Sequence, residues 1–274
     1  MKKSFLTKVG ILMASSVLLF ATACGSGGEK VTVSGSTSVL TYMQMLAEAY
    51  MRQSETEIEV GSGGSSAGVQ NVKTNVSHVG MSSRDLTADE AADFNVYEIA
   101  IDGLAIIVHP SNPVAGLGTD QIRAIYSGKI KDWSEVGGSA GSITLVTRED
   151  GSGTRDAFQE LVMGGRDGDS IMDDVIIQNS NGVIKATVAG NENAIGYVSV
   201  GITLGATDIK ALSIDGIEAT VKNIEDEVYE LFRKFFIFTK KDDVKPETKA
   251  FVDFIMSDAG QSVIEKAGLV RGVR

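Results

Sequence analysis

Short apolar segments alternate with longer segments of helical period over most of the chain. Residues 31–34 form an apolar run that predicts the first β-strand. In residues 39–51 the apolar side chains recur at the spacing of one helix face, which predicts the first helix. Further strands are predicted over residues 57–60, 79–82, 99–109, 143–147, 195–200 and 229–239. Further helices are predicted over residues 67–76 and 154–163 and, as a pair, over 246–269.

This alternation is typical of α/β proteins, in which mostly parallel sheets are flanked by helices. The chain of 274 residues is long enough for two modest domains, each with its own core. We expect one lobe to comprise residues 30–108 and 212–274 and the other to comprise residues 109–211. The chain would then cross between the lobes twice.

The charge balance narrows the classes of partner. The chain has 25 lysines and arginines against 36 acidic residues, a net charge of −11. A surface of this sign does not favour nucleic acid or an anionic membrane face, so neither is expected as a partner. One cysteine and two histidines exclude an intramolecular disulfide and a Cys-based zinc site, and no cofactor or metal is expected.

The N-terminal segment has the layout of a signal peptide. Three lysines lie within the first eight residues, an apolar run covers residues 9–20, and small residues at 21–23 precede Cys24. The apolar run is shorter than the roughly 20 residues that a permanent membrane-spanning helix needs. One interpretation is an ordinary secretory signal that is cut after residue 23, leaving Cys24 as an incidental first residue.

The position of the only cysteine favours a second interpretation. Cys24 at the cleavage point, followed by Gly and Ser, resembles the lipobox of bacterial lipoproteins, with Ala21 where the family usually has Leu. The resemblance implies a signal peptide over residues 1–23 and a lipid anchor on Cys24 at the cell membrane, with residues 24–29 as the lipidated start of a flexible tether.

Three predicted strand-to-helix turns share one composition, rich in glycine and hydroxyl side chains. They are residues 34–38 (SGSTS), 63–66 (GGSS) and 151–154 (GSGT). A helix N-terminus presents unpaired N–H groups and the positive end of the helix dipole, and glycine lets the backbone approach a ligand. Three such ends directed at one point would make a cage for a small oxyanion. Taken singly, each turn is also explained by Ser or Thr acting as an N-cap.

Arg148 directly precedes the third turn and is the candidate positive charge of such a cage. A guanidinium matches the geometry of an oxyanion bidentately. The alternative is that Arg148 forms a surface ion pair with its neighbour Glu149 or Asp150. Both interpretations are compatible with the sequence.

Several segments together resemble one family. Residues 147–155 (TREDGSGTR) are similar to the R-x-D-G-S-G-T segment of the phosphate-binding proteins that serve phosphate ABC transporters. Residues 64–69 (GSSAGV), 125–133 (IYSGKIKDW) and 195–198 (IGYV) also resemble family segments, in the family's order. The resemblance implies a two-lobed, periplasmic-binding-protein-like fold of type II, hinged around a central cleft. It also implies a monomeric extracytoplasmic protein that delivers inorganic phosphate to an ABC permease.

The same resemblance implies which residues bind phosphate, with Asp150 orienting the Arg148 guanidinium. Residues 80–83 (GMSS) stand where many family members have G-A-S-D, so Ser83 replaces an aspartate that accepts the proton of hydrogen phosphate. Asp150, followed by Asp85, is then the candidate acceptor for that proton. The full predicted set is Thr37, Ser38, Ser65, Ser83, Arg148, Asp150, Ser152, Gly153 and Thr154.

Two alternative functions fit parts of the sequence. Residues 64–68 (GSSAG) match the G-x-S-x-G pattern of an exported serine hydrolase, whose base would have to be His78 or His109. His78 follows too closely and His109 looks like a strand-end residue, so we expect a protein that is not an enzyme. Among binding proteins, the alternative ligand is another tetrahedral oxyanion such as sulfate or molybdate.

Overall fold

The computed structural model describes residues 29–242 and 244–272. The predicted signal peptide, the predicted lipidation site at Cys24 and most of the predicted tether lie outside the described residues. Within those two ranges, no helix has both the length and the apolar composition that crossing a bilayer requires.

Strands alternate with helices in the order that the apolar pattern predicts. The strands of the described ranges are β1 (Lys30–Gly35), β2 (Glu57–Val60), β3 (Val79–Ser82), β4 (Phe94–Val108), β5 (Gly116–Leu117), β6 (Thr144–Arg148), β7 (Ile176–Gln178), β8 (Ala194–Ser199), β9 (Lys210–Ala211), β10 (Ser213–Ile214), β11 (Phe232–Lys240) and β12 (Val270–Arg271).

The helices begin at residues that favour a helix start. Pro246 occupies the first turn of its helix, and Thr87 and Glu90 form the reciprocal bonds of a capping box. The helices of the described ranges are α1 (Thr37–Met51), α2 (Ser65–Lys73), α3 (Ala88–Ala91), α4 (Thr119–Tyr126), α5 (Gly153–Leu161), α6 (Asn181–Ala189), α7 (Val221–Glu225), α8 (Pro246–Met256) and α9 (Asp258–Lys266).

One mixed sheet runs through the molecule in the order β2-β1-β3-β11-β4-β8-β6-β7. The outer strands are parallel, as predicted: β1 pairs with β2 and β3, and β6 pairs with β7 and β8. The central strands β4 and β11 run antiparallel to each other and to their neighbours β8 and β3. The predicted α/β class is confirmed, with antiparallel strands added where the chain passes between the lobes.

The strand β4 joins two hydrophobic cores. Its residues up to Gly103 pair with β11, and Leu104–Val108 pair with β8. One core contains α1, α8, α9 and the strands β1 to β3, whereas the other contains α4 to α6 together with β6 and β8. Each lobe therefore has its own core, and β4 and β11 are the connecting strands.

The packing shifts the lobe boundaries from those predicted. Residues 104–108 belong to the second core, although the predicted boundary places them in the first lobe. Leu212 and residues 213–231 also contribute side chains to the second core, among them Tyr229, whose hydroxyl donates to the carbonyl of Leu104 at 2.7 Å. The chain therefore crosses near residue 103 and returns near residue 232.

Most predicted elements lie where the apolar pattern places them, and β2 and β3 have the predicted bounds. The main difference is β4, which begins at Phe94, five residues before the predicted start at residue 99. Residues 95–98 are half-buried or exposed, and they pair with β11 in the antiparallel register. A search for continuous apolar runs misses such a half-exposed extension.

Candidate anion-binding site

The N-termini of α1, α2, α5 and α6 meet between the two lobes. Ser38 Oγ of α1 lies 2.8 Å from Thr154 Oγ1 of α5, and Asn181 Nδ2 at the start of α6 donates to Ser38 Oγ at 2.8 Å. A Cβ added to Gly153 would lie 2.3 Å from Ser65 Oγ of α2. Because each helix start carries unpaired N–H groups and a positive dipole end, this junction attracts an anion.

Some hydroxyl groups at these turns act as N-caps, as the alternative interpretation allows. Ser36 Oγ accepts from the Ser38 N–H at 3.2 Å, and Ser152 Oγ accepts from the Arg155 N–H at 3.3 Å. Ser65 follows the N-cap position of α2, where Gly64 has a φ of 93°. The hydroxyls of Ser38, Ser65 and Thr154 therefore do not cap their own helices, although they are almost completely buried.

Arg148 ends β6 and is only 1% exposed. Its Nε and Nη2 donate to the two carboxylate oxygens of Glu149, each at 2.8 Å. Within the described residues, the remaining terminal nitrogen, Nη1, is buried and has no hydrogen-bond partner. An unsatisfied buried donor is costly. A free N–H on a guanidinium that Glu149 holds in place, four residues before the N-cap of α5, is the donor that an oxyanion would satisfy.

The prediction that Asp150 orients Arg148 is wrong, because Glu149 does so. The Asp150 side chain is 96% exposed and pairs with Arg155 at 2.8 Å. Asp150 occupies the outer corner of the turn, just before Gly151, whose φ of 80° reverses the chain. Asp150 therefore faces solvent and is excluded as an acceptor for a proton of the bound anion.

Ser83 lies inside the site, as predicted. It is completely buried, its Oγ accepts from Ser36 Oγ at 2.8 Å, and its N–H donates to Ser65 Oγ at 3.1 Å. A Cβ on Gly153 would come within 2.7 Å of Ser83 Oγ. The second candidate acceptor, Asp85, lies instead at a solvent-open cavity at the mouth of the cleft.

Thr37, at the start of α1, is half-buried, and its Oγ1 accepts from Asn181 Nδ2 at 3.2 Å. It therefore lies at the edge of the cluster that contains Ser38. Hydrogen bonds and close approaches thus bring together Thr37, Ser38, Ser65, Ser83, Gly153 and Thr154. Arg148 and Ser152 lie in the strand end and the turn that lead into α5, and the Asp150 side chain faces solvent.

Sequence reasoning missed three polar residues that border the site. Arg233 on β11 faces Asp102 on β4, and its Nη2 donates to Asp102 Oδ2 at 3.1 Å and to Ser38 Oγ at 3.0 Å. Asn181 is the third. A single charge inside an otherwise apolar predicted strand was the available signal for Asp102, and the run QNSN before an apolar helix was the signal for Asn181. Arg233 had no such signal, because Glu230 and Lys234 lie in the same predicted strand.

The Asp102–Arg233 pair lies at the connecting strands and is almost fully buried. Burial raises the pKa of the Asp102 carboxyl to about 6, against the opposing effect of Arg233 and of the Ser199 hydroxyl. Burial also lowers the pKa of Arg233, and the Asp102 charge opposes that change. At neutral pH the two groups remain a charged pair, so removing either partner would leave a buried charge uncompensated.

The two lobes are in contact around the site. The Ser66 N–H of α2 donates to the carbonyl of Gly151 at 3.1 Å, and Arg84 Nε lies 2.8 Å from Asp156 Oδ2 of α5. Arg84 also pairs bidentately with Glu90 at 2.7 and 2.8 Å. Together with the Ser38–Thr154 contact, these interactions describe a closed cleft.

The geometry does not favour a serine hydrolase. Ser66 Oγ, the nucleophile that the G-x-S-x-G pattern would require, accepts from Arg84 Nη2 at 3.2 Å. A guanidinium is permanently protonated and cannot act as the base. His109 Nδ1 lies 2.7 Å from Ser111 Oγ, at the end of β4.

Comparison with known proteins agrees with the fold. A family model described as a PBP superfamily domain matches residues 21–259. The phosphate-binding protein PstS of Bacillus subtilis (strain 168) is 29% identical over 294 residues, with 98% of this chain and 95% of that protein covered.

Two solved structures are also similar to this chain in fold and in sequence. A phosphate ABC transporter substrate-binding protein with bound phosphate from Clostridium perfringens is 43% identical, with a TM-score of 0.83, and the match covers 89% of this chain and 99% of that one. An ABC-type phosphate transport receptor from Vibrio cholerae is 36% identical, with a TM-score of 0.73 and coverage of 89% and 100%. The chain therefore belongs to the PBP superfamily and, within it, to the family of phosphate ABC transporter substrate-binding proteins.

Proposed function

We propose that this protein captures inorganic phosphate between its lobes and delivers it to an ABC permease. The observation that carries the proposal is Arg148 Nη1, a buried guanidinium nitrogen without a hydrogen-bond partner in the described structure, on a residue that precedes the N-cap of α5 by four positions. A tetrahedral dianion placed there would accept from Arg148, from the first N–H groups of α5 and from the surrounding hydroxyls.

The donors come from both lobes, which links binding to closure. Ser38 and Ser65 belong to the first lobe, whereas Arg148 and Thr154 belong to the second. A ligand that bonds to both sets stabilises the closed arrangement, and its release requires the lobes to separate. The hinge is assigned to β4 and β11, which are the strands that connect the cores.

The protein acts by binding and performs no covalent chemistry on its ligand in this proposal. Its hydroxyl groups serve as hydrogen-bond donors and not as nucleophiles, because the side chains that contact them are other hydroxyls, guanidinium groups and the Asn181 amide, and none of these is a general base. Such a site holds an oxyanion and releases it unchanged.

Isothermal titration calorimetry of the mature protein with phosphate, sulfate and molybdate tests the proposal. Phosphate should bind tightly and in preference to the other two anions, and saturating phosphate should raise the melting temperature. Solution scattering should show a smaller radius of gyration with phosphate than without it. If sulfate or molybdate binds preferentially, that anion and not phosphate is the ligand. If none of the three anions binds, the protein is not an oxyanion carrier.

We also propose that a lipid on Cys24 anchors the protein, as a monomer, to the outer face of the cell membrane. Support comes from the lysine-rich leader, its apolar run and the position of the only cysteine. Cys24→Ser should be released into the medium or left unprocessed. A variant that is still processed and still bound to the membrane would exclude Cys24 as the anchor.

A further inference from the structure

We propose that Asn181 and Arg233 are positioning residues that force the Ser38 hydroxyl to act as a hydrogen-bond donor. The inference rests on the proposed oxyanion site and adds a determinant of which oxygens that site accepts. Neither residue needs to touch the anion, since each acts through Ser38.

The argument begins with the hydrogen bonds that Ser38 Oγ receives. Asn181 Nδ2 donates to it at 2.8 Å and Arg233 Nη2 donates to it at 3.0 Å. A hydroxyl oxygen offers two acceptor positions and one hydrogen, whereas a guanidinium and an amide nitrogen can only donate. Both acceptor positions are therefore filled, and the hydrogen of Ser38 must point away from them, towards Thr154 Oγ1 at 2.8 Å.

Further hydrogen bonds hold both donors, Asn181 and Arg233, in their orientations. Asn181 Oδ1 accepts from the Ser199 N–H at 3.3 Å, which defines which side of the amide carries the nitrogen. Ser199 Oγ donates to Asp102 Oδ1 at 2.7 Å, and Asp102 Oδ2 accepts from Arg233. All of these groups are at least nine-tenths buried, so water does not compete for the acceptor positions of Ser38.

The orientation of the Ser38 hydrogen also determines the orientation of the Thr154 hydroxyl. When Thr154 accepts from Ser38, its own hydrogen is free to donate into the site, and an anion can also take the Ser38 hydrogen directly. On the opposite side Ser36 donates to Ser83 Oγ and the Ser83 N–H donates to Ser65 Oγ, which leaves the Ser83 and Ser65 hydrogens free in the same way. The cage therefore presents donors, and the oxygens that face Ser38 and Thr154 must be unprotonated.

A double-mutant cycle between Asn181→Leu and Ser38→Ala, measured by calorimetry, tests this. Asn181→Leu alone should weaken phosphate binding about 2- to 12-fold, the range for one hydrogen bond. In the Ser38→Ala background the same change should cost much less, because the group on which Asn181 acts is absent. Thr37→Val measures separately the weaker Asn181 contact with Thr37.

A second readout separates positioning from mere structural support. Freed from Asn181, the Ser38 hydroxyl can rotate to accept the proton of hydrogen phosphate, an option that sulfate lacks because it has no proton near neutral pH. Asn181→Leu should therefore weaken sulfate binding more than phosphate binding. The matched control is Asp156→Asn, which removes a contact between the lobes that does not involve Ser38. It should weaken both anions by the same factor and be additive with Ser38→Ala.

The outcomes distinguish this inference from the proposed function. A wild-type protein that binds no oxyanion overturns the proposed function. A wild-type protein that binds phosphate, with additive Asn181 and Ser38 effects and an unchanged sulfate-to-phosphate ratio, overturns the positioning role alone. If Asn181→Leu does not fold, neutron diffraction on the wild-type protein still tests the inference, because it locates the deuterium of the Ser38 hydroxyl. Deuterium on Ser38 Oγ should point towards Thr154 or the anion, and deuterium directed at Asn181 or Arg233 would refute the inference.

Discussion

Replacing Arg148 by methionine tests the central contact of the site. Arg148→Met keeps most of the side-chain volume and removes Nη1, a terminal guanidinium nitrogen that is buried and has no hydrogen-bond partner among the described residues. Loss of a buried, charge-assisted contact costs about 2–5 kcal/mol of binding free energy, which corresponds to about 30- to 5,000-fold weaker binding.

The surroundings place the expected loss above the lower end of that range. Arg148 neutralises the Glu149 carboxylate, so in the variant that carboxylate would face a bound dianion directly. In the absence of ligand the same carboxylate is 26% exposed and can be hydrated. Removing Arg148 also removes its repulsion of Arg233. We therefore expect the fold to persist while phosphate affinity falls by at least about 100-fold.

Calorimetry with phosphate and a thermal melt without it measure the two effects separately. The matched control is Arg52→Met, because Arg52 is an exposed arginine at the C-terminal end of α1 that pairs with the exposed Glu48. A surface ion pair contributes at most about 1 kcal/mol, so the control should stay within about fivefold of wild type. An Arg148→Met protein that melts normally and binds phosphate within threefold of wild type would refute the assigned site.

Three further substitutions test other contacts. Gly153→Ala should weaken phosphate binding about 5- to 150-fold in calorimetry, because its Cβ would lie 2.3 Å from Ser65 Oγ. Wild-type affinity in this variant would show that phosphate does not bind next to Gly153. Ser83→Asp should raise the phosphate-to-sulfate affinity ratio in competition titrations, since a carboxylate accepts the phosphate proton and repels sulfate. An unchanged ratio would show that residue 83 does not contact the bound anion. The Arg84 guanidinium holds the pKa of Glu90 at about 2, below its ordinary 4.5, so this stabilisation is complete above pH 4.5 and is lost as the pH falls towards 2. Melts of Glu90→Gln should therefore decline less than those of wild type in that window, and parallel declines would contradict the pairing.

The turns and Arg148 could be predicted because their signals are local in sequence. Glycine and hydroxyl residues between a strand and a helix indicate a helix N-terminus wherever they occur, and Arg148 lies directly beside one of them. Adjacent residues do not show whether Glu149 or Asp150 pairs with Arg148. The pairing depends on the turn at Gly151, which leaves Glu149 beside the guanidinium and turns Asp150 to solvent.

Asp102 and Arg233 show a different limit of sequence reasoning. They are 131 residues apart, each inside an apolar segment, and only the antiparallel register of β4 and β11 places them opposite each other. That register follows from how the two lobes share their connecting strands. Sequence pattern predicts each strand, but it does not predict which of their residues face one another.

The charges of the site are balanced before any ligand arrives. Arg148 is paired with Glu149, and Arg233 is paired with Asp102, so each buried guanidinium already has a carboxylate. A dianion that enters therefore adds negative charge to a cage with little net charge, inside a chain of net charge −11. Its stabilisation must come from donors that are already aligned: the α5 N-terminus, Arg148 Nη1 and the hydroxyls whose hydrogens we propose to be directed inwards. Alignment of donors, more than net positive charge, is then what distinguishes a bound oxyanion from the other anions of the medium.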